Sequence, residues 1–379
     1  MCATVAVDPL AGFLPHSRLS ALLQALRETG YRCLGPQERD GAIVFDDLDD
    51  VEQLPWGRID EQSPGRYRLH DGANRRAFAW ANGPQAIKPW VFRPREAMWT
   101  ATRDANGQLR FEPVRIHPRP TAIIGVRACD LAALALQDRH FAGPRERDPA
   151  YLAHRDHLLL IGVHCARSAD TCFCVSTGDG PAVGRDADLV LGELDDGLVI
   201  SANSNAGRRI FRLLPLERVR PEQWAQLRNE IDANAKSQRR ALPGQDLRNL
   251  LYSKLDSPYW RQIAERCLAC GNCTSVCPTC FCSQESDSLS TDGVEATHVR
   301  EWDTCFGGQH GHLAGLDIRG ETHLRYRQWL LHKLGTWHDQ YGRSGCVGCG
   351  RCISWCPVGI DLTAEIAALA TDSAGAAPA

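Results

Sequence analysis

Eight of the 17 cysteines in this chain fall into two runs of one spacing. Cys267, Cys270, Cys273 and Cys277 stand in CLACGNCTSVCP, and Cys346, Cys349, Cys352 and Cys356 stand in CVGCGRCISWCP. Both read C-x2-C-x2-C-x3-C-P, and they agree at every Cys, at the Gly and at the Pro. The geometry explains the spacing. Three thiolates must reach three corners of one iron–sulfur cube from a single tight turn, so x2 gaps with a glycine are needed. The fourth Cys points away toward a neighbouring cluster, and the Pro keeps the chain from curling back. Paired zinc knuckles are the alternative, but zinc favours separate C-x2-4-C pairs over four-Cys runs closed by Pro.

In two-cluster ferredoxins the fourth Cys of each run serves the other cluster. By that rule Cys267, Cys270, Cys273 and Cys356 hold one 4Fe–4S cluster, and Cys346, Cys349, Cys352 and Cys277 hold a second. A third set is assembled by topology. Cys129 follows the apolar run TAIIGV, and Cys165 follows HLLLIGV. If both runs are parallel strands, their carboxyl ends open on one crevice, where ligands of α/β sheets collect. Cys172 and Cys174, in TCFC, come a few residues later. Cys129, Cys165, Cys172 and Cys174 are therefore read as a third iron–sulfur site. Four separately buried apolar thiols are the alternative.

The elements that must position these cysteines are partly legible. SRLSALLQALRETG, residues 17–30, carries leucines at helical spacing, with Ser17 as N-cap and Gly30 as the stop. TAIIGV, the helix CDLAALALQDRHF and HLLLIGV make a βαβ unit with parallel strands. DLVLGEL and GLVIS flank Asp195-Asp196-Gly197 as a hairpin. Residues 221–240 read as an exposed helix, and ALPGQDLRN as a linker. The insert between the two cysteine runs is read through one helix, THLRYRQWLLHKLGTW. Its Arg325, Arg327, His332 and Lys333 are either a solvated face or positive charges beside an anionic cluster. The fold class expected is α+β. An N-terminal α/β domain with a partly parallel sheet, residues 1–240, precedes a helical dicluster ferredoxin-like domain, residues 258–370, and a disordered tail, residues 371–379.

Bulk properties narrow the function classes. The chain has 379 residues, 43% hydrophobic and 23% charged, with a net charge of −3, which gives no reason to expect nucleic acid or an anionic membrane as partner. No apolar run approaches the length of a bilayer span, and the first residues do not read as a signal peptide. A cytoplasmic location is expected, where dense cysteine spacing means metal or redox chemistry and not disulfides.

With these residues in view, the chain resembles the beta subunit of cytosolic group 3b NiFe hydrogenases, the sulfhydrogenase type. The likeness runs from about Ala122 onward. It rests on GVRACDLAAL, TCFCVSTGDGP, CLACGNCTSVCPTCFC, WDTCF and YRQWLLHKLGTWHDQYGRSGCVGCGRCISWCPVGID. The corresponding electron-transfer subunit of anaerobic sulfite reductase is similar through GVRACD, RCLACGNC and CVGCGRC. The resemblance implies a non-catalytic electron-transfer subunit with two 4Fe–4S clusters and a third, the family pattern also matching Cys129, Cys165, Cys172 and Cys174. It implies two kinds of partner, a flavin- and NAD(P)-binding subunit together with NiFe hydrogenase subunits. An equivalent subunit of a sulfite or polysulfide reductase is the alternative. No flavin or nickel is expected on this chain, which has neither G-x-G-x-x-G nor C-x2-C pairs near both termini.

Five cysteines remain. Cys2 and Cys33 read as ordinary thiols. Cys280, Cys282 and Cys305 read as packing around the clusters, with a non-standard ligand set as the alternative. His310, His312, His323 and His332 are near enough in sequence to complete a metal site with Cys305, though their spacing does not require it.

Overall fold

A computed structural model describes residues 10–143 and 147–372, so Cys2 and residues 373–379 of the expected tail lie outside the described residues. The main sheet has seven strands. Their spatial order is Ala11–Pro15, Gly197–Ala202, Leu189–Glu193, Leu158–Val163, Thr121–Val126, Arg32–Arg39 and Ala42–Asp47. The four from Leu189–Glu193 to Arg32–Arg39 pair in parallel, and antiparallel strands flank them on both sides. Uninterrupted apolar runs suit strands covered on both faces, and all six residues of Thr121–Val126 are buried. The helix Ala128–Phe141 makes the expected crossover to Leu158–Val163. The hairpin around Asp195-Asp196 forms as read.

Two local readings need correction. The first helix spans Ser20–Glu28, and Leu19, not Ser17, takes the N-cap position. Ser17 lies in a preceding 3-10 turn, His16–Arg18, and makes no cap bond. The helix Pro221–Ser237 is not simply exposed: Gln223, Leu227, Ile231 and Asn234 form a buried stripe at roughly helical period. The linker ends at Asp246, whose side chain accepts from the Asn249 amide and caps the helix Leu247–Ser253.

The insert holds more than a helix. Its strands Ser283–Leu289 and Glu295–Trp302 form a hairpin that pairs with Arg95–Arg103, itself paired with Leu109–Pro113. Residues from far ahead of the first motif thus share a four-stranded antiparallel sheet with residues between the motifs. All seven residues of Ser283–Leu289 are exposed, so its sequence carries no apolar alternation to announce a strand. Beyond the hairpin, the helix Thr322–Leu331 passes through a π-helical turn, His332–Thr336, into the helix Trp337–Tyr341.

One buried ion pair joins the α/β core to the second cysteine run. Arg351 grips Asp130 through both guanidinium ends, at 2.5 and 3.0 Å, and its Nε donates to the Gly83 carbonyl at 2.9 Å. The side chains are 1% and 0% exposed. Removing one partner leaves a buried charge unmatched, which costs about 3–5 kcal/mol. Asp130→Ala is therefore expected to lower unfolding stability by about that amount, read by anaerobic denaturant titration. A loss under about 1 kcal/mol would show that the pair does not tie the two parts together.

Candidate functional site

Both cysteine runs fold the same way. Gly271 and Gly350 take φ of 75° and 74° and open the short helices Asn272–Ser275 and Arg351–Ser354. Two residues after the first Cys of each run, Ala269 and Gly348 also have positive φ, 51° and 62°. This left-handed step turns a main-chain N–H back onto the first sulfur: Ala269 to Cys267 at 3.4 Å, and Gly348 to Cys346 at 3.5 Å. Gly350 has a second constraint, since a Cβ there would lie 2.3 Å from the Thr171 carbonyl oxygen.

The last cysteine of the second run lies against the first run. Cys267, Cys270 and Cys273 line a cavity together with Cys356 of the other run, and Phe306, Tyr326, Trp329, Ile360 and Leu362 close it. The Ile360 amide donates to the Cys356 sulfur at 3.3 Å. Cys277 lies within electrostatic reach of Cys346, Cys349 and Cys352 of the second run and of Cys273 of its own. Cys352 also borders the first cavity and feels Cys273, so the two sets adjoin.

The hydrogen bond with Cys280 holds the Cys277 thiol below its ordinary value, but burial pushes Cys346 up to about 12 and Cys273 and Cys352 well above theirs. Bare, those three would be neutral at pH 7, and a coordinated metal removes such protons outright. Buried sulfurs at this spacing, met by amide donors, fit iron–sulfur ligation.

Of the four basic residues flagged in the insert, Lys333 alone touches a thiol of the two runs. Its ammonium lies 3.3 Å from the Cys277 sulfur and 2.7 Å from Thr279 Oγ1. Burial alone would depress it, but its closeness to the sulfurs of Cys277, Cys280 and Cys346 and its hydrogen bond to Cys277 hold it above the ordinary lysine value. The π-helical turn delivers this side chain, and the Lys333 carbonyl accepts the Gly345 amide at the entry of the second run. Arg325 spends its donors on the carbonyls of Phe306, Arg319 and Gly320, and Arg327 on that of Leu255. Burial lowers His332 to about 4, so its neutral ring accepts from the Trp337 indole at 3.0 Å. Sequence reading missed Lys88, which is buried with its ammonium 3.8 Å from the Trp302 ring centre and within reach of Cys280 and Cys277. The available signal was scarcity, since the chain has only four lysines.

The third set gathers at the carboxyl ends of the paired strands Thr121–Val126 and Leu158–Val163. Cys129 lies in the first turn of the following helix, and Cys165 just past the second strand. Cys174 is within electrostatic reach of Cys165, Cys172 of both Cys174 and Cys165, and Cys129 of Cys174. Gln238 donates to the Cys174 sulfur at 3.2 Å. Arg127 faces Cys165. This guanidinium is 1% exposed and stacks on Trp80 at 3.9 Å. Its Nε and Nη1 find no hydrogen-bond partner among the described residues. A buried cation without a carboxylate calls for an anion, and a cluster held by four thiolates is one. The second run packs directly on this set, with the Phe173 amide donating to the Gly348 carbonyl at 2.8 Å.

Among the remaining cysteines, Cys33 is buried on the strand Arg32–Arg39. Cys280 adjoins Cys277, while Cys282 and Cys305 face each other at 3.8 Å between sulfurs.

Comparison with known proteins agrees with this geometry. Residues 266–360 match the model of the 4Fe–4S dicluster domain. Over 324 residues the chain is 30% identical to the sulfhydrogenase 2 subunit beta of Pyrococcus furiosus, covering 84% of this chain and 92% of that one. The chain belongs to the sulfhydrogenase beta-subunit family. Coverage of this extent reaches well ahead of Ala122, so the family likeness includes part of the segment that sequence reading left unassigned. No solved structure matches the chain. No helix among the described residues is long and apolar enough to cross a membrane.

Lys333 contributes a positive charge at the Cys277 sulfur, which favours the more negative, reduced state of any cluster bound there. Lys333→Met is expected to lower the midpoint potential of one cluster and leave the others in place, read by EPR-monitored redox titration. An unchanged set of potentials would remove Lys333 from the tuning of this site.

Proposed function

We propose that this sulfhydrogenase beta-family chain is the iron–sulfur electron relay of a hydrogenase complex and holds three 4Fe–4S clusters. Cys267, Cys270, Cys273 and Cys356 ligate the first, Cys346, Cys349, Cys352 and Cys277 the second, and Cys129, Cys165, Cys172 and Cys174 the third. The observation that carries the reading is the shared cavity of Cys356 with the first run. A cluster in such a site takes up and gives back one electron at a time. The chain's own residues do the rest. Phe306, Tyr326, Trp329 and Leu362 keep water from the first site, and Lys333 and Arg127 bring positive charge to the second and third.

The three sets form a series. Cys174 of the third is within reach of Cys349 of the second, and Cys352 of the second is within reach of Cys273 of the first. Cys270 is exposed, and Leu268 beside it is 63% exposed. In this reading the first set is an electron port toward a partner subunit. The partners are a flavin- and NAD(P)-binding subunit together with NiFe hydrogenase subunits, in the cytoplasm, with flavin and nickel carried by them and not by this chain. The family relative is named a sulfhydrogenase subunit, which favours hydrogenase over the sulfite or polysulfide reductase alternative.

Iron counting tests the ligand sets. Cys270→Ser and Cys277→Ala should each remove about four iron atoms, and the double variant about twice that, because the two residues serve different clusters. A double variant that loses no more than either single one would place Cys277 in the first set. Cys129→Ala should remove a further cluster's worth of iron, and unchanged iron there would abolish the third site. Affinity purification of the tagged chain from its native host tests the partner assignment. Nickel at about one atom per complex supports a hydrogenase, and sirohaem without nickel would overturn it.

A further inference from the structure

Cys282 and Cys305 lie outside the three proposed sets. Cys282 precedes the strand Ser283–Leu289, and Cys305 follows the strand Glu295–Trp302, so hairpin pairing brings the two ends together. The Asp303 amide closes the base by donating to the Cys282 carbonyl at 2.9 Å. His310 sits in the short turn Gln309–Gly311 and joins the two cysteines. The two sulfurs and one ring nitrogen all lie within 4.8 Å of one another.

The surroundings of the trio are those of a metal site. His310 Nδ1 lies 2.7 Å from the Asp303 carboxylate. A carboxylate on one ring nitrogen fixes the tautomer and frees the other nitrogen for a metal. Hydrogen bonds present the loop to the two sulfurs: Arg319 donates to the His310 carbonyl at 3.2 Å and Arg325 to that of Phe306 at 3.0 Å. Cys305 is 4% exposed. Of the four histidines that the sequence places near Cys305, His310 is the one that meets it; His323 ion-pairs with Glu321, and His332 bonds to the Trp337 indole.

We propose that Cys282, Cys305 and His310 bind one zinc ion, separate from the iron–sulfur sets. Two thiolates and an imidazole are the donor set zinc prefers, in tetrahedral geometry. Binding releases two thiol protons to solvent, while His310 Nδ1–H stays hydrogen-bonded to Asp303. Water from the adjoining cavity, bordered by Cys280, Cys282, Asp303 and Thr304, takes the fourth position. The ion joins both ends of the hairpin to the turn that carries His310, and that tie is its work. It pins the loop after the hairpin, in which Thr304 Oγ1 lies 2.8 Å from Thr274 Oγ1 of the first run and Phe306 walls the first cavity.

The test is elemental analysis of the anaerobically purified complex for zinc, iron and acid-labile sulfide. Cys305→Ser and His310→Ala should each lose about one zinc per chain, with iron and sulfide unchanged. His310→Cys should retain the zinc, because a thiolate replaces the imidazole. Equal zinc in every variant would overturn the proposal. So would loss of iron and sulfide in place of zinc, or wild-type protein without zinc in which Cys282 and Cys305 resist alkylation as a disulfide. If Cys305→Ser fails to accumulate, the two His310 variants decide the matter alone.

Discussion

Negative charge on buried sulfur is stabilised by buried positive charge beside it, and much of this molecule is arranged around that constraint. An anionic cluster site out of water is stabilised by nearby positive charge and amide donors, while the metal itself displaces the thiol protons. Among the described residues, Arg127, Lys88, Lys333 and Arg351 bring positive charge into the interior near cysteine. Arg351 is matched by Asp130. Neither Arg127 nor Lys333 pairs with a carboxylate among the described residues, and their heads lie beside Cys165 and Cys277. These two positions make structural sense when the cysteines carry negative charge.

The same constraint explains why the cysteine runs cannot stand alone. The first run's cavity is completed by Cys356 of the other run, so the two runs must be brought together. The chain between them leaves and returns through a hairpin, a loop and a helical rod with one wide turn. Each part has a contact to make: the hairpin docks on Arg95–Arg103, the loop carries Phe306 to the first cavity, and the wide turn sets Lys333 on Cys277. An insert of this kind is part of the site and not an ornament between two halves of it.

The α/β core has a matching part. Parallel strands place their carboxyl ends on one side, and there Cys129, Arg127 and Asp130 leave the sheet within four residues of one another. Asp130 reaches the second run, Arg127 faces Cys165, and Cys129 meets the third set. One short segment, GVRACD, thereby fastens the sheet to the cysteine-rich half through Asp130 and carries Cys129 and Arg127 as well.

Much of this was legible without coordinates. Motif spacing is local, because a cube imposes its geometry on a dozen consecutive residues, so both runs follow from the letters alone. The buried strands show as unbroken apolar runs, and so the parallel core was readable, with Cys129 and Cys165 placed at the carboxyl ends of adjacent strands. Other features depend on partners distant in sequence. Ser283–Leu289 is polar almost throughout and becomes a strand only because Glu295–Trp302 and Arg95–Arg103 complete its sheet. No periodicity distinguishes Lys333 from Arg325 or Arg327, and only the π-helical turn turns one inward. Cys282, Cys305 and His310 have no motif spacing, because the hairpin that gathers them is itself decided by the tertiary fold. Local chemistry was written in the sequence, whereas which charge meets which sulfur was settled by long-range packing.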